Sequence, residues 1–496
     1  MDTAEDLLAA RRQKLQTLQG LGIPPYAGRF AKSAVIQSTL ASYEEGKAVS
    51  TAGRLTAKRA HGALTFADLR DSTARIQLAF RQEQLGDAYA LVEQLDLGDW
   101  LGVEGPLFKT KTGEITVRVE RFTLLAKSLR PLPEKWHGLR DVEVRYRQRY
   151  LDLASNEPVR KVFEARAKLL DSFRATLRTH HYLEVETPMM HPIPGGAAGE
   201  PFTTHHQALN MDLYMRLAPE LYLKRLLVGG FERVYELNRC FRNEGISTRH
   251  NPEFTMLEAY CAYEDVTYMM RFVRELITEA AKQTIGGLEF EYQGRRIDLD
   301  KEWEVVSFAG LLKQGYDLEP QDGIEALQRK LKSPRPGFRA IDIKGQARSQ
   351  ILRLVEELVE PEAKDTPVFV TDYWTELSPL AKSHPDNPLI TERFELFIGG
   401  MEVANAYSEL NDPIEQRRRF EAQFEAATQG ASAKDRERLR AKMIDDDFVE
   451  ALEYGMPPAT GLGVGIDRLV MLLLNQPSIK DVILFPLLKP DVAAEK

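Results

Sequence analysis

The segment VYELNRCFRNEGISTRHNPEFTMLEAYCAY (234–263) constrains this chain more than any other. It reads as strand, loop, strand. Period-two alternation puts Glu236, Asn238, Cys240 and Arg242 on one face of the first strand, and Glu258 and Tyr260 on one face of the second. The loop between them carries Glu244, Arg249, His250 and Phe254. Taken singly, each of these residues fits a salt-bridged surface hairpin. Together they need a ligand or extensive mutual pairing, because buried polar groups are costly without partners. Arginine suits phosphate or carboxylate through its planar fork of donors. A phenylalanine can stack on a base, a contact worth about 1–3 kcal/mol in nucleic-acid systems.

The 496 residues suit two or three domains. Residues 5–19 have helical periodicity in Leu7, Leu8, Leu15 and Leu18, and Gly20, Gly22, Pro24 and Pro25 stop the helix. From about 50 to 126 the texture changes to five short strand-like runs: TAGRLTAKR, ALTFADLRD, ARIQLAF, DWLGVEGPLF and EITVRVERFTLLA. Such runs predict a five-stranded barrel of the oligonucleotide-binding (OB) kind. Across roughly 50–146 the charge is slightly positive, against −8 for the chain, as an RNA-reading module requires. The proline-bearing SLRPLPEKWHGLRD (128–141) reads as a linker. The divisions predicted are a helical extension over 1–48, the barrel over 49–145 and a larger domain over 146–496.

Within the larger domain the expected order is a helix at 158–181, the strand YLEVETPMM and the hairpin 233–262. A helical insertion follows over about 264–360, then a hairpin at 392–410, helices at 413–428 and 433–453, and a glycine-rich strand entering a helix at 461–475. Strands and helices do not alternate regularly. The prediction is therefore α+β: a mixed, mainly antiparallel sheet flanked by helices.

Composition excludes several classes. The longest clean apolar run, Leu469 to Leu474, falls far below the ~20 residues needed to span a bilayer. The start MDTAEDLLAARR lacks the pattern of a secretory signal. Cys240 and Cys261, without C-x-x-C spacing, argue against structural zinc or a disulfide framework and suit a reducing cytoplasm. No phosphate-binding G-x-x-x-x-G-K-[ST] loop, G-x-S-x-G or H-E-x-x-H occurs.

Two further segments carry chemistry. In GLGVGIDRLVML, Gly461, Gly463 and Gly465 alternate, so one strand face is bare and a flat base could lie on it. Asp467 and Arg468 then open a helix, placing a guanidinium beside a positive helix end, which suits polyphosphate. In RFELFIGGMEVANAYSEL (393–410), Gly399-Gly400 marks a tight turn, and Asn405, Tyr407 and Glu409 share a face.

These segments carry a resemblance. YLEVETPMM, ending at Pro188, FRNEG…RHNPEFT and GLGVGIDRLVML resemble the three signature motifs of class II aminoacyl-tRNA synthetases, in order and spacing. IPGGAAGEPF, RLAPELYLKRL and EVANAYSELNDP further resemble the lysine-specific branch, and the match runs from about 50 to 488. It implies activation of L-lysine by ATP with Mg²⁺, transfer to the 3′ end of tRNA(Lys), a homodimer built on the first motif, and no membrane.

The roles that the resemblance implies are as follows. Arg242 and Arg468 act on the phosphates as catalytic groups. Glu244 meets adenine, Phe254 stacks on it and His250 holds the γ-phosphate side. Glu395 and Glu402 bind Mg²⁺. Gly196, Glu220, Glu258, Tyr260, Asn405, Tyr407 and Glu409 hold lysine, and Arg59, Phe66, Gln77 and Glu114 read the anticodon. Strict alternation would put Glu402 opposite Asn405, so a bulge is predicted near Val403–Asn405. Glu200 departs from the family, which tends to be basic there. Alternatives left open are a synthetase for aspartate or asparagine, a relative that lysylates protein, and a non-catalytic RNA-binding relative.

Overall fold

The computed structural model describes residues 4–490 other than 134–138, 140, 198, 359 and 429–431, so part of the predicted linker lies outside the described residues. The chain forms two compact units, Met1–Asp141 and Val142–Lys496.

In the first unit, strands Ala48–His61, Leu64–Arg70 and Arg75–Arg81 pair antiparallel in sequence. Trp100–Lys109 returns beside the first, and Ile115–Val119 runs parallel to the third, which closes the barrel. Alternate residues Leu55, Leu69, Leu78, Phe80, Val103 and Val117 fill its interior. The fifth predicted run is broken at Glu120 into Ile115–Val119 and Arg121–Ala126. Gly105 explains the break: a Cβ there would overlap the carbonyl of Arg118, so the two strands cross too closely for an unbroken ladder. The helix Ala4–Gly20 joins this unit through Leu18, buried in the same core, and through Lys14, 2.6 Å from Asp96.

The second unit is built on eight strands in the order Glu304–Ser307, Val368–Thr371, Arg393–Ile398, Met401–Ser408, Ala459–Gly465, Glu253–Ala262, Arg233–Phe241, Leu183–Glu184. The two outermost pairs are parallel and the inner five antiparallel. Helices Glu157–Thr179, Val266–Ile285 and Ile466–Leu473 contribute to the core on one face of the sheet, through Phe173, Phe272 and Leu469. Against them the strands present Leu257, Ala259, Phe394, Leu396, Leu462 and Val464. The residues between these, including Glu258, Tyr260, Glu395 and Gly461, turn to the other face.

Two expectations need revision. The predicted strand YLEVETPMM shrinks to Leu183–Glu184 and Met190–His191. Its backbone is diverted: the Thr187 N–H and hydroxyl both donate to the Glu236 carboxylate, and Pro188 has no N–H to give a ladder. The stretch 264–360, predicted to be helical, also contributes three strands. Glu289–Tyr292 and Arg295–Asp298 form a hairpin around Gln293 (φ 51°) and Gly294 (φ 79°), a primed turn, while Glu304–Ser307 joins the sheet edge.

The predicted bulge is present. Leu396 pairs with Ala404 and Phe397 with Glu402, which leaves Val403 as the extra residue. Glu402 is thereby turned to the same side as Asn405 and Tyr407. Gly399 (φ 58°) and Gly400 (φ 74°) make the tight turn between these strands.

Phe394 is fully buried and meets Phe369 edge to face, with ring centroids 4.9 Å apart. Phe394→Ala is expected to cost about 3–5 kcal/mol, through lost burial and the cavity left behind. Urea unfolding of the purified protein checks this. A loss below about 1 kcal/mol would show that the core does not close on this ring.

Candidate functional site

The sheet face turned away from the core helices lines a cavity of about 970 Å³. The hairpin 233–262 and its loop contribute Arg242, Glu244, His250, Phe254, Glu258 and Tyr260 to its lining. The second hairpin adds Glu402, Asn405 and Tyr407. Gly196, Glu220 and Arg468 complete the predicted residues found there. Glu395 and Glu409 are buried in the wall behind.

One end of the cavity is rich in buried carboxylates. Glu220 opens the helix Glu220–Val228, and its Oε1 accepts from the Tyr407 hydroxyl at 2.6 Å and from Lys224 Nζ at 2.7 Å. Gly196 lies directly behind it: a Cβ there would stand 3.2 Å from Glu220 Cβ. The Tyr260 hydroxyl donates to Glu258 Oε2 at 3.2 Å. Glu409 is 1% exposed; Lys224 Nζ lies 2.5 Å from its Oε2 as an ion pair, yet neither carboxylate oxygen accepts an aligned hydrogen bond. Burial pushes the carboxyls of Glu258 and Glu409 up to about 8. The neighbouring Glu220 adds to both shifts, while Lys224 opposes that of Glu409.

The other end is cationic. Arg468 Nη1 donates to the backbone oxygen and to Oε2 of Glu402, both at 2.9 Å, and its Nη2 lies 3.1 Å from His250 Nε2. Partial desolvation, then the Arg468 charge, hold His250 below the usual imidazole range, so Nε2 accepts. Arg242 stands between the two ends, its guanidinium 5.2 Å from the centre of the Phe254 ring and its Nε buried without a partner. Its backbone N–H closes the loop onto Pro252 O at 2.9 Å. A Cβ at Gly199 would stand 3.1 Å from Glu244 Oε1 and 3.5 Å from Arg242 Cδ, so this loop packs directly against both side chains. Glu200 is exposed at the rim, and its carbonyl accepts from Asn243 N–H at 2.7 Å.

Glu395 pairs in register with Asn405. It accepts from Tyr373 OH at 2.7 Å and from Arg393 Nη2 at 2.5 Å. Burial raises its carboxyl to about 7; Arg393 opposes this, while Glu402 and Glu356 reinforce it. Asn405 Oδ1 accepts from Arg393 Nε at 3.2 Å.

The glycine strand needs a partial correction. A Cβ at Gly461 would overlap Glu409 Oε1 and the Tyr260 ring. The space beside Gly461 is thus filled by those two side chains rather than left bare for a base. At Gly463 the nearest neighbour is Met256 Cε at 3.0 Å, and at Gly465 nothing lies closer than Arg468 Cδ at 3.8 Å. Only the end of the strand nearest Arg468 presents open backbone. Asp467 is structural: it accepts from Thr255 N–H at 2.7 Å and from Arg166 at 2.6 Å.

In the first unit, Arg59, Phe66 and Gln77 lie on the outward face of three adjoining strands, with Arg59 opposite Phe66 and Gln77 opposite Asp68. Phe66 is not part of the barrel core. Arg59 donates to Asp68 at 3.2 Å, Gln77 accepts from Thr116 at 2.9 Å, and Glu114 accepts from Arg75 at 2.7 Å.

Sequence reasoning missed Lys224, Arg393 and Tyr373. The signal for Lys224 was its helical i+4 spacing from Glu220, and that for Arg393 its place two residues before Glu395 on one strand face. Nothing local marked Tyr373, which reaches Glu395 from the neighbouring strand's end.

Comparison with known proteins places the chain in a family. Residues 141–489 match the family model of class II tRNA synthetases (D, K and N), and residues 49–125 match that of the OB-fold nucleic acid binding domain. A lysine–tRNA ligase of Carboxydothermus hydrogenoformans is 52% identical over 489 residues, 98% of each chain. That of Pelotomaculum thermopropionicum is 52% identical, covering 98% of this chain and 95% of its own. A Staphylococcus aureus lysine–tRNA ligase is 46% identical, with 98% of both chains covered. On the family matches, the full-length likeness and a cavity with anionic and cationic ends, this chain belongs to the class II aminoacyl-tRNA synthetases, in their lysine–tRNA ligase family.

Proposed function

We propose that the cavity binds L-lysine at its anionic end and ATP along its cationic end, joins them as lysyl-adenylate, and passes the lysyl group to tRNA(Lys). The observation that carries this reading is Glu409: a buried carboxylate that meets Lys224 through Oε2 alone and whose Oε1 has no partner, in a space that Gly461 leaves clear. A buried acceptor of that kind calls for a donor, and a compact ammonium supplies several. Tyr260 and Tyr407 would flank the methylene stem. Glu220 would meet the α-amine beside Gly196, and Glu258 and Asn405 would complete the lysine contacts. A substrate with an acidic side chain would meet like charge from Glu220, Glu258 and Glu409, which counts against the aspartate reading.

In the first step the lysine carboxylate attacks the α-phosphorus of ATP and pyrophosphate leaves. The terminal adenosine hydroxyl of tRNA then attacks the adenylate carbonyl and AMP leaves. No protein nucleophile is needed, since positioning and charge neutralisation carry such transfers. Arg242 would span the substrate carboxylate and α-phosphate. Phe254 would stack on adenine, Glu244 would accept from its amino group, and His250 with Arg468 would hold the γ-phosphate side. Glu395 and Glu402 suit Mg²⁺, a hard cation commonly held by one or two carboxylates plus substrate phosphates. Burial first, and then the charge of Glu402, raise the Glu395 carboxyl even though Arg393 pairs with Glu395 and Arg468 with Glu402, so a further cation between the two would be favoured. When bound, the metal would neutralise charge on the triphosphate. In the barrel, Phe66 would stack on an anticodon base while Arg59, Gln77 and Glu114 read base edges. The exposed Leu183 (48%) and Met190 (52%) of the first motif fit burial in a homodimer. Free buried cysteines fit a cytoplasmic setting, and among the described residues no helix is long and apolar enough to cross a membrane.

Arg242→Ala is expected to slow lysine-dependent ATP–pyrophosphate exchange about 10²–10³-fold, the scale of losing one transition-state donor. Retention of full exchange by the purified variant would sink that role. Gly461→Ala should keep the fold and raise the lysine KM about tenfold or more, because its methyl displaces Glu409 and Tyr260. An unchanged lysine KM would detach those residues from lysine binding. Carboxyls raised to about 8 must ionise before they can pair with an ammonium. Lysine binding at about pH 7 should therefore release protons, and kcat/KM for lysine should rise towards a plateau above about pH 8. Calorimetry in buffers of different ionisation enthalpy measures that release. A heat independent of buffer would refute it.

A further inference from the structure

Lys224 lies inside the anionic end without being part of any role assigned above. Its side chain is fully buried. Its ammonium touches Glu220 from its own helix, at 2.7 Å, and Glu409 from the strand hairpin, at 2.5 Å. The Tyr407 and Phe448 rings face it at 5.6 and 5.9 Å. Glu258 and Tyr260, on the central strand, interact electrostatically with Glu409 and Glu220. The next residue, Arg225, is engaged with Asp445 and Asp447.

The charges here can be counted. Glu220, Glu258 and Glu409 carry three negative charges when ionised, and Lys224 carries one positive charge. Two negative charges remain, and lysine brings two ammonium groups. The bonds also divide the oxygens of Glu220: Lys224 and Tyr407 both donate to Oε1, so Oε2 is left for a ligand. We propose that Lys224 is a positioning residue that sets the charge of the substrate pocket, neutralising one of three buried carboxylates so that the remaining two match the paired ammonium groups of a diamino acid. This rests on the reading of the cavity as the lysine site. Without that cation the carboxyls, already raised by burial, would hold their protons to higher pH still, and the pocket would lose both its charge match on binding and the held geometry of Glu220 and Glu409.

The test is lysine-dependent pyrophosphate exchange by the full chain across pH, for the wild type, Lys224→Met and Lys224→Arg. The methionine variant should lose about tenfold or more in kcat/KM for lysine at about pH 7, with the ATP KM within about threefold of wild type. The deficit should shrink to about threefold near pH 9, where the surplus carboxylates ionise without help. A loss of equal size at both pH values, as a purely structural role would give, overturns the proposal, and so does a profile identical to the wild type. The arginine variant keeps the charge and should keep the acid limb of the profile in place. If the methionine variant does not fold, an acid limb displaced by about one pH unit in Lys224→Arg overturns the proposal, while an undisplaced limb supports it. Wild-type exchange with aspartate but not with lysine would instead overturn the reading of the cavity itself, whatever the variants do.

Discussion

Side chains on a β-strand alternate between two faces, and that constraint organises the whole second unit. Leu257 and Ala259 point into the helix-covered core while Glu258 and Tyr260 point into the cavity. Leu462 and Val464 do the same opposite Gly461 and Gly463. A one-residue slip in any of these strands would exchange core for site, so the apolar packing that holds the register also holds the chemistry. The exception is local. Val403 is an extra residue against its partner strand, and without it Glu402 would face the core helices. Sheet regularity places most of the site, and one irregularity brings the last carboxylate to the side where Arg468 can reach it.

The same constraint decides what could be read without coordinates. Faces of single strands were legible, because period two is a local property: Arg242, Glu258, Asn405 and Tyr407 follow from counting along the chain. The turn at Gly399-Gly400 was legible because few residues adopt two successive positive φ angles. Even the bulge was legible, as a conflict between alternation and two residues expected on one side. Relations set by distant pairing were not. That Gly461 must be bare for the sake of Glu409 and Tyr260 depends on the register of three strands. The Lys224–Glu409 contact joins a helix to a strand hairpin far along the chain. The shortness of the first-motif strand depends on Glu236 taking the Thr187 N–H, a competition invisible in YLEVETPMM. In the barrel, five runs could be counted, but the break at Glu120 depends on how closely Gly105 passes Arg118.

Electrostatics then explains why such a cavity should select its ligand. Burying carboxylates near one another is unfavourable, and the raised values at Glu258, Glu409 and Glu395 express that cost in the free protein. A cationic ligand relieves it at one end and a metal–nucleotide complex would relieve it at the other. A neutral amino acid of similar length would fill the volume and leave the repulsion in place. Discrimination on the proposed reading therefore comes less from shape than from unmet charge, which is the stronger lever where water is excluded.

The two ends also orient the substrate. Between the carboxylates and Arg468 stands Arg242, whose buried Nε lacks a partner; Oε1 of Glu409 lacks one too, its Oε2 being paired with Lys224. A zwitterion with an ammonium tail can satisfy Glu409, Glu220 and Arg242 together in one direction only, with its carboxylate towards the nucleotide. Reversed, it would set carboxylate against carboxylate and ammonium against guanidinium. On the proposed reading the carboxylate is the nucleophile of the first step, so the field that would admit lysine would also aim its reactive group. Recognition and activation then follow from one charge arrangement, held rigid because every strand that carries it is pinned by the core on its other face.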